Sequence, residues 1–276
     1  MAETDLRPGQ SIELLKALHI LTRDGKMNQD SRRKLKQVYH LFQFIEPLLE
    51  QLASEGGPIT LVDHGAGKSY LGFILYDLFF KDRDDGSHIY SIETRAELVD
   101  KARDLADRAD FSRMSFLALS VAESTQSSLM PDTVNMVTAL HACDTATDDA
   151  ISFALRKQAR FIVLVPCCQA EVAATLRRLK AQSLARDVLT EIWRHPIHTR
   201  EFGSHLTNVL RCLQLEAHGY QVNVTELVGW EHSMKNELII ASQHRDAPRQ
   251  RAAKRLQQVL GELGLQEMSE RFWLPH

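Results

Sequence analysis

Ile59-Thr-Leu-Val-Asp63-His-Gly65-Ala-Gly67-Lys-Ser69-Tyr-Leu-Gly72 is the stretch that decides the fold of this chain. It opens with an apolar run, Ile59 to Val62, that reads as a buried strand. Asp63 follows, then two glycines with one residue between them. Beyond them the period changes: Tyr70, Leu71, Phe73, Ile74, Leu75, Leu78 and Phe79 recur at helical spacing. A strand, a glycine turn and a helix in that order open a nucleotide-binding α/β unit. Gly65 permits the tight turn, and Gly67 lets the backbone approach a ligand because no Cβ intervenes. Free N–H groups at the start of the helix face that ligand.

Three ligand classes use such a turn. A triphosphate-binding loop needs a glycine where Val62 stands, so Gly67-Lys68-Ser69 does not complete one. A dinucleotide fingerprint needs glycine or alanine where Tyr70 stands. Asp63-His-Gly65-Ala-Gly67 resembles the Asp-x-Gly-x-Gly of class I methyltransferases, whose ligand, S-adenosylmethionine, has no pyrophosphate. A plain structural turn is the alternative.

The rest of the chain bounds this reading. With 276 residues it holds one large domain or one domain with appendages. A formal net charge of -3 argues against a wholly basic nucleic-acid binder but leaves room for local basic patches. No apolar run approaches the roughly 20 residues of a membrane span, and no basic-then-apolar leader opens the chain, so the sequence reads as cytoplasmic. Four cysteines, with Cys167 and Cys168 adjacent, suit reduced thiols. Oligomeric state is not legible.

Residues 1–57 form an N-terminal helical segment, 58–243 the α/β domain and 244–276 a basic helical tail. In the first, Ile12 to Leu21 reads as one helix, and Ser31 as the cap of a second that runs to Leu52 and carries Arg32, Arg33, Lys34 and Lys36 at its start. That helix is either a solvated face packed on the domain or a lid with a basic substrate contact. Further strands are expected at His88–Ile92, Met114–Leu119, Val134–Leu140, Phe161–Val165, Tyr220–Val228 and Glu237–Ser242. Helices are expected at Arg95–Ala109, Glu171–Leu184 and Thr207–His218, and His195 to His205, rich in ring nitrogens and charge, reads either as the lining of a substrate cleft or as exposed loop histidines. Glu93, 26 residues beyond Gly67, ends the second strand, where an acid accepts both ribose hydroxyls of an adenosine. Ser120 or Glu123 follows the third strand where an acid commonly meets adenine. His141-Ala-Cys143-Asp144 ends the fourth and Pro166-Cys167-Cys168 the fifth, where the chemistry of such sheets sits. Asp144 or Thr145 reads equally as a helix cap. The cysteines read as packing, as ligand contacts, as a nucleophile for an electron-poor ring carbon, or, least, as zinc ligands. No metal is expected. A final strand hairpin, with the last strand antiparallel inside the sheet, separates a methyltransferase from a dehydrogenase half.

Lys36-Gln37-Val38, the glycine stretch, Leu140-His-Ala-Cys-Asp144, Pro166-Cys-Cys168 and Lys235-Asn236 together resemble a methyltransferase-domain family with bacterial and eukaryotic methyltransferase-like members. The resemblance spans residues 32–242; Ser69 stands where glycine is common. It implies a Rossmann-like class I sheet of seven strands with helices on both faces, and S-adenosyl-L-methionine as cofactor. It implies that Asp63, His64, Gly65, Ala66 and Gly67 meet the methionine end, Glu93 the ribose, and Ser120 and Val121 the adenine. His141 meets the cofactor, and with Asp144, Cys167 and Cys168 it faces the transferred methyl. The basic helices favour RNA as substrate, with small molecules and proteins as alternatives. A non-catalytic cofactor-binding or partner-docking module with the same fold is the competing function.

Overall fold

The computed structural model describes residues 6–140, 142–166, 169–182, 191, 194–227 and 237–274. Its centre is a sheet of seven strands: β1 (Thr60–His64), β2 (His88–Glu93), β3 (Met114–Ala118), β4 (Met136–Ala139), β5 (Phe161–Leu164), β6 (Tyr220–Glu226) and β7 (Glu237–Gln243). They lie in the order β3-β2-β1-β4-β5-β7-β6. β1 to β5 are parallel, and β7 runs antiparallel between β5 and β6. The register aligns Asp63 with Ser91 on β2 and Thr138 on β4, so the parallel strands end together along one edge. Their four- to six-residue apolar runs are buried because helices cover both faces.

One face carries α1 (Ile12–Ala17), α2 (Gln29–Glu55), α3 (Tyr70–Leu75) and α4 (Ala96–Arg108), which share a core with the sheet through Leu15, Phe42, Ile45 and Phe73. The other carries α6 (Thr145–Arg156), whose Phe153 and Ile151 pack under Val62, Val137 and Ile162. A third cluster joins α7 (Glu171–Gln182), α8 (Pro196–Ala217) and α9 (Arg249–Glu262) through Leu176, Leu210, Leu256 and Leu260. Short α5 (Val121–Gln126) lies between β3 and β4. Among the described residues no helix is long and apolar enough to cross a membrane.

Several local expectations change. Asn28, not Ser31, caps α2: its Oδ1 accepts the Ser31 N–H at 2.8 Å, because the helix begins a turn earlier. The helix after the glycine turn widens into a π-helical turn at Tyr76–Phe80, which buries Asp77. Asp77 Oδ2 accepts the Ser11 N–H at 2.9 Å and so ties the start of α1 to the sheet layer. His195 to His205 is not a loop. Pro196 sits in the first turn of α8, where its missing N–H leaves no donor unused, and the helix runs unbroken to Ala217. Val228, Lys235 and Asn236 lie outside the described residues.

Gly203 lets α7 and α8 touch. A Cβ there would stand 2.6 Å from the Ala173 Cβ and 2.7 Å from its backbone. Gly261 in α9 has nothing within 4 Å. Gly203→Ala is therefore expected to cost about 1–3 kcal/mol and to lower Tm by several degrees in a thermal melt, whereas Gly261→Ala leaves Tm unchanged or raises it.

Candidate active site

The carboxyl ends of β1 and β2 meet at the glycine turn. Gly65 and Gly67 both have positive φ, 64° and 57°, the left-handed region that glycine enters without penalty. A Cβ on Gly65 would press on the Ala142 backbone at 3.3 Å, so this glycine serves packing against the loop after β4. A Cβ on Gly67 would meet only Arg95 Nη2, at 3.9 Å, which leaves room above the turn. Ser69 also has a left-handed φ, 56°, where glycine is commoner; its hydroxyl pairs with the Ser91 hydroxyl at 2.7 Å. That hydrogen bond gives a physical reason for serine at a position that disfavours a side chain.

Two hydrogen bonds hold the turn to β2. The Ala66 N–H donates to the Ile92 carbonyl at 3.1 Å, and the Gly67 N–H donates to Glu93 Oε2 at 2.9 Å. The Arg95 N–H and Nε donate to Glu93 Oε1 at 3.1 and 2.9 Å, and Nη2 to Oε2 at 3.2 Å. Burial alone would raise the Glu93 pKa, but these donors and the guanidinium charge hold it at about 2. Glu93 is thus an ionised acceptor at neutral pH at the end of β2. Arg95 was not singled out in the sequence, although its place two residues beyond the strand-end acid is the available signal.

Asp63 and His64 face opposite sides of the sheet. Asp63 is 2% exposed and accepts the Thr138 hydroxyl at 2.7 Å. Burial raises its pKa to about 7, which the Thr138 hydrogen bond only partly offsets. The His64 ring is wholly buried and lies 4.5 Å from the Phe153 ring, edge to face. Neither ring nitrogen has a hydrogen-bond partner among the described residues, and burial lowers its pKa to about 3, so it is a neutral core side chain on the α6 side. At β3 the expected adenine residues bind one another. Ser120 caps α5 by accepting the Glu123 N–H at 3.2 Å, and Glu123 Oε2 accepts the Ser120 N–H and hydroxyl at 2.7 Å each. Val121 is the first residue of that helix.

Beyond β4, Asp144 occupies the N-cap position of α6 without a side-chain cap bond. Its Oδ1 instead accepts the Ala170 N–H at 2.9 Å and so bridges the loops after β4 and β5. Beneath lies a polar network that sequence reading missed. Arg211 of α8, fully buried, donates to Asp148 Oδ1 at 2.7 Å and Oδ2 at 2.9 Å, and to the Asp144 carbonyl at 2.9 Å. Its Nη1 reaches Asn208 Oδ1 at 3.1 Å, which also accepts from Gln169. Asn208 Nδ2 donates to Glu237 at the start of β7 at 2.7 Å. Arginine amid the apolar residues Leu206, Leu210 and Leu213 was the signal. Cys143 is exposed, and no group of three or more metal-ligating side chains stands together among the described residues. His141, Cys167 and Cys168 lie outside the described residues.

A methyltransferase-domain model matches residues 33–175, just over half of the chain. The chain belongs to the methyltransferase-domain family. It is an S-adenosylmethionine-dependent methyltransferase, and the matched span runs from α2 through the glycine turn into α7. The fold agrees with a "putative O-methyltransferase" of Klebsiella pneumoniae, 13% identical, which matches 87% of this chain and 93% of that one at a TM-score of 0.50. Magnesium protoporphyrin IX methyltransferase of Synechocystis PCC 6803, solved with bound S-adenosylhomocysteine, is 12% identical over 83% of this chain and 94% of its own, at 0.46. A search of curated protein sequences finds no match. The residues present fit the cofactor. Only the flexible end of the Arg95 side chain stands over Gly67, an ionised acceptor ends β2, and a buried carboxylate with no cationic partner among the described residues stands at the end of β1.

The raised Asp63 pKa fixes a pH effect. The folded value of about 7 exceeds the usual 3.8, so the folded state holds this proton longer than the unfolded state does. Its contribution favours folding below about pH 4 and is lost as pH rises to about 7. Asp63→Asn is therefore expected to melt higher than wild type at pH 8, with the difference shrinking towards pH 4. A constant difference across that range would contradict the assignment.

Proposed function

We propose that this methyltransferase acts on RNA, with the cofactor held at the ends of β1 and β2 and the methyl transferred beside the loops after β4 and β5. When bound, S-adenosylmethionine supplies an electrophilic methyl on its sulfonium to a nucleophilic atom of the substrate. Asp63 would pair with the ammonium of the methionine part, which ends the isolation of its charge. The backbone of Gly65, Ala66 and Gly67 would pass close to the same part, and His64 would contribute backbone only. Glu93 would accept the ribose hydroxyls, with Arg95 moving aside or sharing it. Ser120 and Val121 flank the adenine end. Asp144 keeps the two loops together through the Ala170 N–H, within three residues of the His141, Cys167 and Cys168 that we assign to the methyl-transfer end. Such a transfer needs in-line positioning more than a dedicated base.

One observation carries the substrate class. A hollow of about 350 Å³ lies beside the glycine turn, between the end of α1, the start of α3 and the outer side of α4. Leu18, Leu98 and Leu105 form its apolar floor, Tyr70 lines it, and His19, Lys68, Lys101 and Arg108 surround it against the single acid Asp104. An apolar, aromatic floor under a cationic rim suits a base together with its phosphates. Lys68, left unexplained by a triphosphate reading, has a role there.

Transfer of a labelled methyl from the cofactor to RNA, protein and metabolite fractions is the test. RNA is expected to take the label, and Lys68→Glu with Lys101→Glu is expected to lower that transfer at least tenfold with S-adenosylhomocysteine binding unchanged. Label in protein or metabolites alone would move the substrate class. Cofactor binding with no label in any fraction would favour a docking module.

A further inference from the structure

The basic tail does two things at once. α9 buries Ala252, Leu256 and Leu260 against α8. Its opposite side presents Arg251, Lys254, Arg255 and Gln258, all exposed and spaced along one helical stripe. Arg245 and Arg249 continue that surface round the start of the helix, and all six line a shallow depression of about 870 Å³ with Ala247 and Pro248. From His244 to Gln258 the chain carries five Lys and Arg against one acid, Asp246, in a protein of net charge -3. Among the described residues Arg255 alone of the five has a carboxylate within 4.0 Å, Glu216 at 3.6 Å. The first turn of α9 holds no acid, so these cations crowd the positive end of the helix dipole. Like charge is gathered here at a cost, and the fold supplies little to offset it.

The surface stands apart from the site. β7 ends at Gln243, and Ser242 pairs with Phe161, the first residue of β5. The Arg245–Arg249 end of the depression therefore lies at the amino edge of the parallel strands, opposite the glycine turn. A substrate bound at both places must be long.

We propose that the cationic face of α9 docks the phosphate backbone of RNA, away from the methyl-transfer end. The proposal rests on the reading of RNA as substrate and specifies where its remote part is held. Four of the five cations are arginine, whose fork pairs with phosphate oxygens two at a time. From Arg249 to Gln258 the helix is roughly 14 Å long, enough to follow several phosphates. The apolar stripe of α9 is already buried, and among the described residues the exposed large hydrophobic ones, Ile12, Leu129, Ile197 and Val224, lie elsewhere, so the described part of this surface has nothing to insert into a membrane.

Fluorescence anisotropy of a labelled RNA hairpin against the full chain, over a series of KCl concentrations, tests this. Charge reversal by Arg251→Glu, Lys254→Glu and Arg255→Glu is expected to weaken binding at least tenfold. It is also expected to flatten the plot of log affinity against log salt by about 2, with S-adenosylhomocysteine affinity unchanged. The same three positions changed to Gln give a milder loss in the same direction and serve if the reversal does not fold. Equal affinity and slope in the Gln variant and wild type would overturn the proposal. So would binding to phosphatidylserine vesicles as tight as to RNA and equally lost in the variant. If RNA binding depends on α9 but RNA takes no methyl, the substrate reading fails and the docking surface stands. If RNA is methylated and the variant binds it unchanged, the reverse holds.

Discussion

The hydrogen bond from the Gly67 N–H to Glu93 Oε2, at 2.9 Å, is the contact on which the geometry of the glycine turn depends. It fixes the loop after β1 to the end of β2, and with the Ala66 bond to Ile92 it leaves the turn one course across the strand ends. The turn needs φ of 57° at Gly67 and tolerates 56° at Ser69 only with the Ser91 hydroxyl as partner. The Arg95 side chain and N–H chiefly keep Glu93 ionised, and the Gly67 N–H adds to them. Holding the loop and presenting an acceptor are therefore one feature of the chain.

The other half of the site is held differently. Neither the Asp144 carboxylate nor its carbonyl stands free: one accepts from Ala170, the other from Arg211. Arg211 is bidentate on Asp148 and reaches β7 through Asn208 and Glu237. A fully buried arginine is tolerable only because its donors meet a carboxylate, a carbonyl and an amide oxygen. Removing any member leaves a charge or dipole without a partner at low dielectric. The network joins α6, α8, β7 and the loops after β4 and β5, so those loops are braced from below by buried side chains, whereas the glycine turn is held to β2 by the Glu93 carboxylate, the Ile92 carbonyl and the Ser91 hydroxyl.

Much of this was legible in the sequence. The apolar runs placed every strand within a residue or two at each end, and the closing hairpin foretold the antiparallel β7. Short buried strands between glycine and polar breaks are distinctive whatever surrounds them. What stayed hidden depends on tertiary partners. His195–His205 reads as polar, yet its helix is stabilised by packing of Gly203 on Ala173 and of Leu206 in the α7–α9 cluster. The direction of the His64 ring follows from strand alternation, but its burial depends on Phe153 of α6. The Arg211 network joins residues 63 positions apart in the chain, which no local pattern reveals. The family match supports the methyltransferase reading of the chain, and the roles of single residues are proposals.

Calorimetric titration of S-adenosylhomocysteine into wild type and Glu93→Ala tests the central claim most directly. Micromolar binding, about -8 kcal/mol, is predicted for wild type, with at least a tenfold loss in a variant that remains folded by circular dichroism. Equal binding by the two proteins would contradict the assignment of Glu93 to the ribose. No binding to correctly folded wild type would contradict the cofactor site as a whole.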